Sequence, residues 1–147
     1  MNSKDKPIVV EHTFDTSTSI IWDAITNIEK MKQWFFENIE GFKPEVGFET
    51  KFNVVSRGRN FIHNWKITEV QPLKKITYHW NYEDYEGDSF VHFELFVQEN
   101  NTLLRVTTEI IEDFTLDIPE FKRESCEGGW NYFIKESLKN YIEKNTT

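Results

Sequence analysis

From Phe48 to Ile110 apolar and polar side chains alternate almost residue by residue, and this pattern limits what the chain can fold into. A period of two belongs to the β-strand, whose successive side chains point to opposite faces. FETKFNVV puts Phe48, Thr50, Phe52 and Val54 on one side, and after the turn SRGRN the stretch FIHNWKITEV puts Phe61, His63, Trp65 and Ile67 there. Past a corner marked by Pro72, KITYHWNY aligns Ile76, Tyr78, Trp80 and Tyr82; the acidic turn EDYEGD leads to SFVHFELFV, aligning Val91, Phe93, Leu95 and Val97. QENN then turns into TLLRVTTEI, with Leu104, Val106, Thr108 and Ile110 in line. Turns this short join neighbouring antiparallel strands, so the segment reads as a meander. Lys51, Asn64, Lys66, Thr77, His79, His92, Arg105 and Thr107 fall on the other side. One face therefore meets water, and the aromatic face needs a cover.

The flanks supply helices. A first strand, IVVEHTF (8–14), is followed by the capping residues DTSTS and by IIWDAITN, where Ile21, Trp22 and Ile25 share a face. Asn27 can cap a second short helix, IEKMKQWFF, with Met31, Trp34 and Phe35 on its apolar side. At the other end, Asp117 and Glu120 form a capping pair with Pro119 in the first turn, and a helical pattern runs to Glu143, about 39 Å long. Trp130, Phe133, Ile134, Leu138, Tyr141 and Ile142 recur at spacings of three and four, which fits the missing cover. Gly128 and Gly129 stand inside this pattern although each costs roughly 1 kcal/mol relative to alanine. Close packing of the helix on the sheet, or a bend that opens a pocket mouth, would account for them, and Gly129→Leu is then expected to destabilise the fold or block entry.

Composition excludes several functions. A chain of 147 residues suits one domain, read here as residues 1–147, and a net charge of −8 disfavours nucleic acid and anionic membrane surfaces. MNSKDKPIVV lacks the apolar core of a signal peptide and no apolar run is long enough to span a bilayer, so a cytoplasmic protein is expected. Cys126 is the only cysteine, the four histidines lack ligand spacing, and no phosphate loop, HExxH or GxSxG motif is present. The sequence thus points to no metal, no cofactor and no catalytic set.

SIIWDAITN followed by KMKQWF, then ITEVQPLKKITYHW, VHFEL with NTLLRVTT, and GWNYFIKESLKNYIE resemble, in order and spacing, the Aha-type activators of a heat-shock ATPase. That family sits within the START and birch-pollen-allergen (SRPBCC) superfamily. The resemblance implies an α+β helix-grip fold: a curved antiparallel sheet wrapped around a long carboxy-terminal helix, with two short helices after the first strand. It also implies a pocket between sheet and helix that in relatives binds apolar molecules. Trp65 departs from the pattern, standing where many relatives have glycine, which implies a smaller or reshaped cavity.

By alternation, the candidate lining is Phe52, His63, Trp65, Tyr78, Trp80 and Phe93 from the sheet, with Trp130, Phe133, Ile134 and Ser137 from the helix. Each ring alone reads first as core. Together, with His63, Tyr78 and Ser137 as the few polar tips, they suit a small apolar or amphipathic ligand. Two other readings stay open: a co-chaperone-like regulator partnered with a heat-shock ATPase, and a cyclase- or aromatase-like enzyme using His63 and Tyr78 as proton handlers.

Overall fold

In the computed structural model, which describes residues 1–145, the first strand is β1 (Ile8–Phe14), followed by α1 (Thr18–Thr26) and α2 (Ile28–Trp34). The expected caps are in place: the Ser17 hydroxyl accepts the Ile20 N–H and the Asn27 side chain accepts the Glu29 N–H. The alternating segment folds as β2 (Glu49–Ser56), β3 (Arg59–Gln71), β4 (Lys75–Tyr82), β5 (Asp88–Val97) and β6 (Thr102–Glu112). All neighbours are antiparallel, and β1 joins at the far side of β6, giving the order β1-β6-β5-β4-β3-β2.

Register follows the apolar pattern, because a slip of one residue would turn the aromatic face to water. Trp65 stands opposite Trp80, Ile76 opposite Phe93, and Phe93 opposite Val106, all buried. Two residues break the pattern. Val97, at the end of β5, is 77% exposed, since the covering elements stop short of it. Thr77, on the outer face, is buried, its hydroxyl held 3.0 Å from Nδ1 of the neighbouring His92. A bulge at Thr68 shifts the pairing of β3 with β4 between Ile67 and Glu69.

The carboxy-terminal cover differs from the expected single α-helix in three ways. Pro119–Phe121 is an isolated 3₁₀ turn, and the helix starts only after Lys122, whose side chain makes no capping bond. Asp117 and Glu120 are therefore no capping pair; Glu120 instead accepts a hydrogen bond from the Ser56 hydroxyl on β2. The helix then runs as α3 (Arg123–Tyr132), a π-helical stretch (Phe133–Leu138) and α4 (Lys139–Asn145), 23 residues in all. Its buried positions, Trp130, Ile134, Leu138 and Ile142, are spaced strictly by four. On a 3.6-residue helix such a stripe drifts by about 40° per step. The wider π turn takes up part of that drift, which keeps the stripe on the sheet.

Gly129 does not mark a tight approach. A Cβ built on it, or on Gly128, would meet no atom within 4 Å outside the helix's own turns, so close packing on the sheet does not account for either glycine. Gly87 is the opposite case: its φ is +118°, and a Cβ there would fall 2.4 Å from the Phe114 ring.

Candidate functional site

The aromatic residues do not fill the space between sheet and helix evenly. Phe35, released from the end of α2, lies at the centre of one filled region: its ring centroid is 4.8 Å from Trp34, 5.6 Å from Trp65, 6.3 Å from Phe93 and 5.7 Å from Trp130. Trp65 packs at 4.7 Å from Phe52 and 4.9 Å from both Tyr78 and Trp80. Beyond these rings, toward the amino-terminal end of α3, a cavity of about 310 Å³ remains. This lies near the lower end of the range typical of small-molecule sites.

Strands β2 to β6, the carboxy-terminal helix and the connecting loops form its wall. The sheet supplies Val54, Ser56, Phe61, His63, Trp80, Tyr82, Ser89, Val91 and Thr108; the helix supplies Ser125, Cys126, Gly129, Trp130 and Phe133. Phe35 and Phe36 enter from the loop after α2, Phe114, Glu120 and Phe121 from the connection between β6 and α3, and Met1 from the chain start. Of the ten residues singled out from the sequence, four are brought together here: His63, Trp80, Trp130 and Phe133. Phe52, Trp65, Tyr78, Phe93 and Ile134 are instead core residues beside the cavity, each at most 3% exposed. Ser137 points elsewhere and donates its hydroxyl to the Trp34 carbonyl at 2.5 Å. Tyr78 cannot share a proton with His63 across the cavity, because its hydroxyl is sealed in the core without a hydrogen-bond partner.

His63 is the most informative polar group. Its Nδ1 lies 2.9 Å from the Phe61 carbonyl, and a carbonyl only accepts, so Nδ1 carries the hydrogen and Nε2 presents a lone pair. Burial among Phe36, Phe52, Trp80 and Tyr82 lowers its pKa to about 4, and the ring is neutral at pH 7. Burial likewise raises the Cys126 thiol to about 11, which makes it a poor nucleophile, and holds the Tyr82 hydroxyl protonated. Glu120 is kept ionised by the Ser56 hydroxyl, with Arg59 3.6 Å away. Among the described residues no group of three or more His, Cys, Asp or Glu side chains is placed to hold a metal ion, and no helix is long and apolar enough to cross a membrane.

Several of the residues that alternation passed over lie outside the periodic segments. Phe36 follows a helix end, while Phe114 and Phe121 sit in an aperiodic connection, where alternation gives no facing. Tyr82 and Phe61 were on the inward face in the sequence pattern, at the strand ends where the sheet reaches past the core.

The sheet, its order and the helix laid across it define a helix-grip protein of the SRPBCC type. Residues 15–143 match the family described as Activator of Hsp90 ATPase homolog 1-like protein, and the chain belongs to that family. Solved structures agree on the fold. MLL2253 from Mesorhizobium loti superposes with a TM-score of 0.74 at 24% identity, over 97% of this chain and 100% of that one. The Aha1 dimer from Colwellia psychrerythraea gives 0.70 at 22% identity, over 97% and 100%. DynU16, a protein in the dynemicin biosynthetic locus, gives 0.75 at 18% identity over 95% of this chain, which spans about half (48%) of the DynU16 length. No curated protein sequence matches the chain at a significant level.

Proposed function

We propose that this protein binds a small apolar or amphipathic molecule in the cavity between the sheet and α3. The observation that carries this reading is a cleft of about 310 Å³, partly open to solvent and walled by aromatic rings at one end of the packed core. An apolar cleft that holds only water forgoes the dispersion contacts its rings would make with a ligand. The wall joins the rings of Phe36, Trp80, Trp130 and Phe133 to polar groups most of which are hydrogen-bonded within the protein, a composition suited to an apolar ligand. Native mass spectrometry of gently purified protein, with thermal-shift titration against apolar compounds, tests it. A mass above that of the bare chain, or a saturable rise in melting temperature, is expected; a bare mass with no shift across the panel would remove the reading.

The family description favours a second role, regulation of a heat-shock ATPase. Adding the protein to the chaperone of the same cell should then alter its ATPase turnover, and unchanged turnover would dismiss this role. For either role the reading is of a domain acting by binding rather than by covalent chemistry.

A further inference from the structure

The polar groups of the cavity restrict its ligand further, an inference that rests on the binding role proposed above. Most are already committed. The Ser89 hydroxyl donates to the Trp80 carbonyl at 2.7 Å, the Trp80 indole to the Tyr82 oxygen at 3.0 Å, and the Trp130 indole to the Thr108 hydroxyl at 3.0 Å. The Ser56 hydroxyl donates to Oε2 of Glu120 at 2.7 Å, while Oε1 makes no hydrogen bond and is met only by the Arg59 guanidinium at 3.6 Å; the Met1 ammonium donates to the Phe121 carbonyl at 2.7 Å. Nε2 of His63 has no hydrogen-bond partner among the described residues, although the residue is only 5% exposed.

That nitrogen is also fixed in place. The bond from Nδ1 to the Phe61 carbonyl sets the tautomer, and the ring is stacked on Phe52 at 4.9 Å and met edge-on by Phe36 at 5.1 Å and Tyr82 at 4.7 Å. A rigid, neutral acceptor in an apolar wall has one kind of complement, a neutral donor. We propose that the cavity selects apolar, ring-bearing molecules that carry one uncharged hydroxyl or N–H group, read by Nε2 of His63. A carboxylate would set lone pairs against Nε2 and share the cavity with the ionised Glu120. An ether or hydrocarbon of the same shape would leave Nε2 buried and unpaired.

Three matched probes separate these cases: 2-naphthol, 2-methoxynaphthalene and 2-naphthoate, titrated at pH 7 by isothermal calorimetry into wild type and His63→Phe. Wild type should bind 2-naphthol about tenfold or more tightly than the methyl ether, the difference expected of one buried hydrogen bond, with 2-naphthoate weakest. His63→Phe, which leaves no nitrogen unpaired, should bind the ether more tightly than wild type does and lose the preference for naphthol. Should His63→Phe fail to fold, His63→Leu carries the same expectation, and the naphthol-to-ether ratio in wild type stands without either variant. Equal affinity of wild type for naphthol and ether would overturn the role of His63 while leaving the apolar site intact, as would a preference that survives in the variant. No binding of any probe would overturn both.

Discussion

One buried side chain, His63, should make a large and separable contribution to the acid sensitivity of this protein. His63 has a pKa of about 4 in the fold against 6.5 for an ordinary histidine, so below pH 6.5 the unfolded chain takes up a proton that the folded one refuses. Stability is thus full above pH 6.5 and is lost as the pH falls toward 4. The whole shift amounts to about 3 kcal/mol, of which about 2.5 kcal/mol is already lost at pH 4.5. His63 is buried, so solvent screening removes little of this. Phenylalanine matches the imidazole in planarity, stacks on Phe52 in the same way, and does not titrate. Urea unfolding followed by tryptophan fluorescence, at pH 7 and pH 4.5, would measure the difference for wild type and His63→Phe. Both chains will lose stability as carboxylates such as Glu120 protonate, and that common part cancels between them. The variant should lose about 2.5 kcal/mol less than wild type between the two pH values. Equal losses in the two chains would show that His63 is solvated or charged in the fold, and would refute the buried neutral acceptor on which ligand selection rests.

Three further substitutions test the surrounding packing. Gly87→Ala combines a φ of +118° with a Cβ placed 2.4 Å from the Phe114 ring and 2.8 Å from its backbone, and should cost about 3 kcal/mol or more, read as a fall in the urea midpoint. Tyr78→Phe removes a hydroxyl buried without a partner and should leave stability unchanged or raise it by about 1 kcal/mol in the same assay. Gly129→Ala should stabilise the helix by about 0.5–1 kcal/mol, since its Cβ meets open space. Gly129→Leu should still fold while its side chain occupies the cavity, lowering affinity for 2-methoxynaphthalene by about tenfold or more by calorimetry.

The sheet was legible because its period is enforced twice, by backbone geometry and by burial. Phe61, His63, Trp65 and Ile67 follow one another on one face, and all four are buried. The helix was legible as a cover but not in its detail. A spacing of four from Trp130 to Ile142 reads as an ordinary α-helical stripe, whereas its drift is absorbed by a π turn that no residue in FIKESL announces. The start was misplaced because Asp117, Pro119 and Glu120 satisfy the local rules for a helix end, while the bond from Ser56 holds Glu120 to a strand far away in sequence. The cavity was legible in kind and not in position. Alternation tells which side chains face inward, but not which end of the sheet the ring of Phe35 fills, and that depends on where the chain leaves α2 after Trp34. Core residues such as Phe93 and cavity residues such as Trp80 therefore looked alike.

Intermolecular nuclear Overhauser effects from bound 2-methoxynaphthalene in isotope-labelled protein would locate the ligand in the cleft under α3. Saturable contacts to ring protons of Phe36, Trp80, Trp130 and Phe133, all on the cavity wall, are expected. Contacts confined to exposed apolar residues such as Val97 and Leu116, or no saturable contacts, would contradict binding in that cleft.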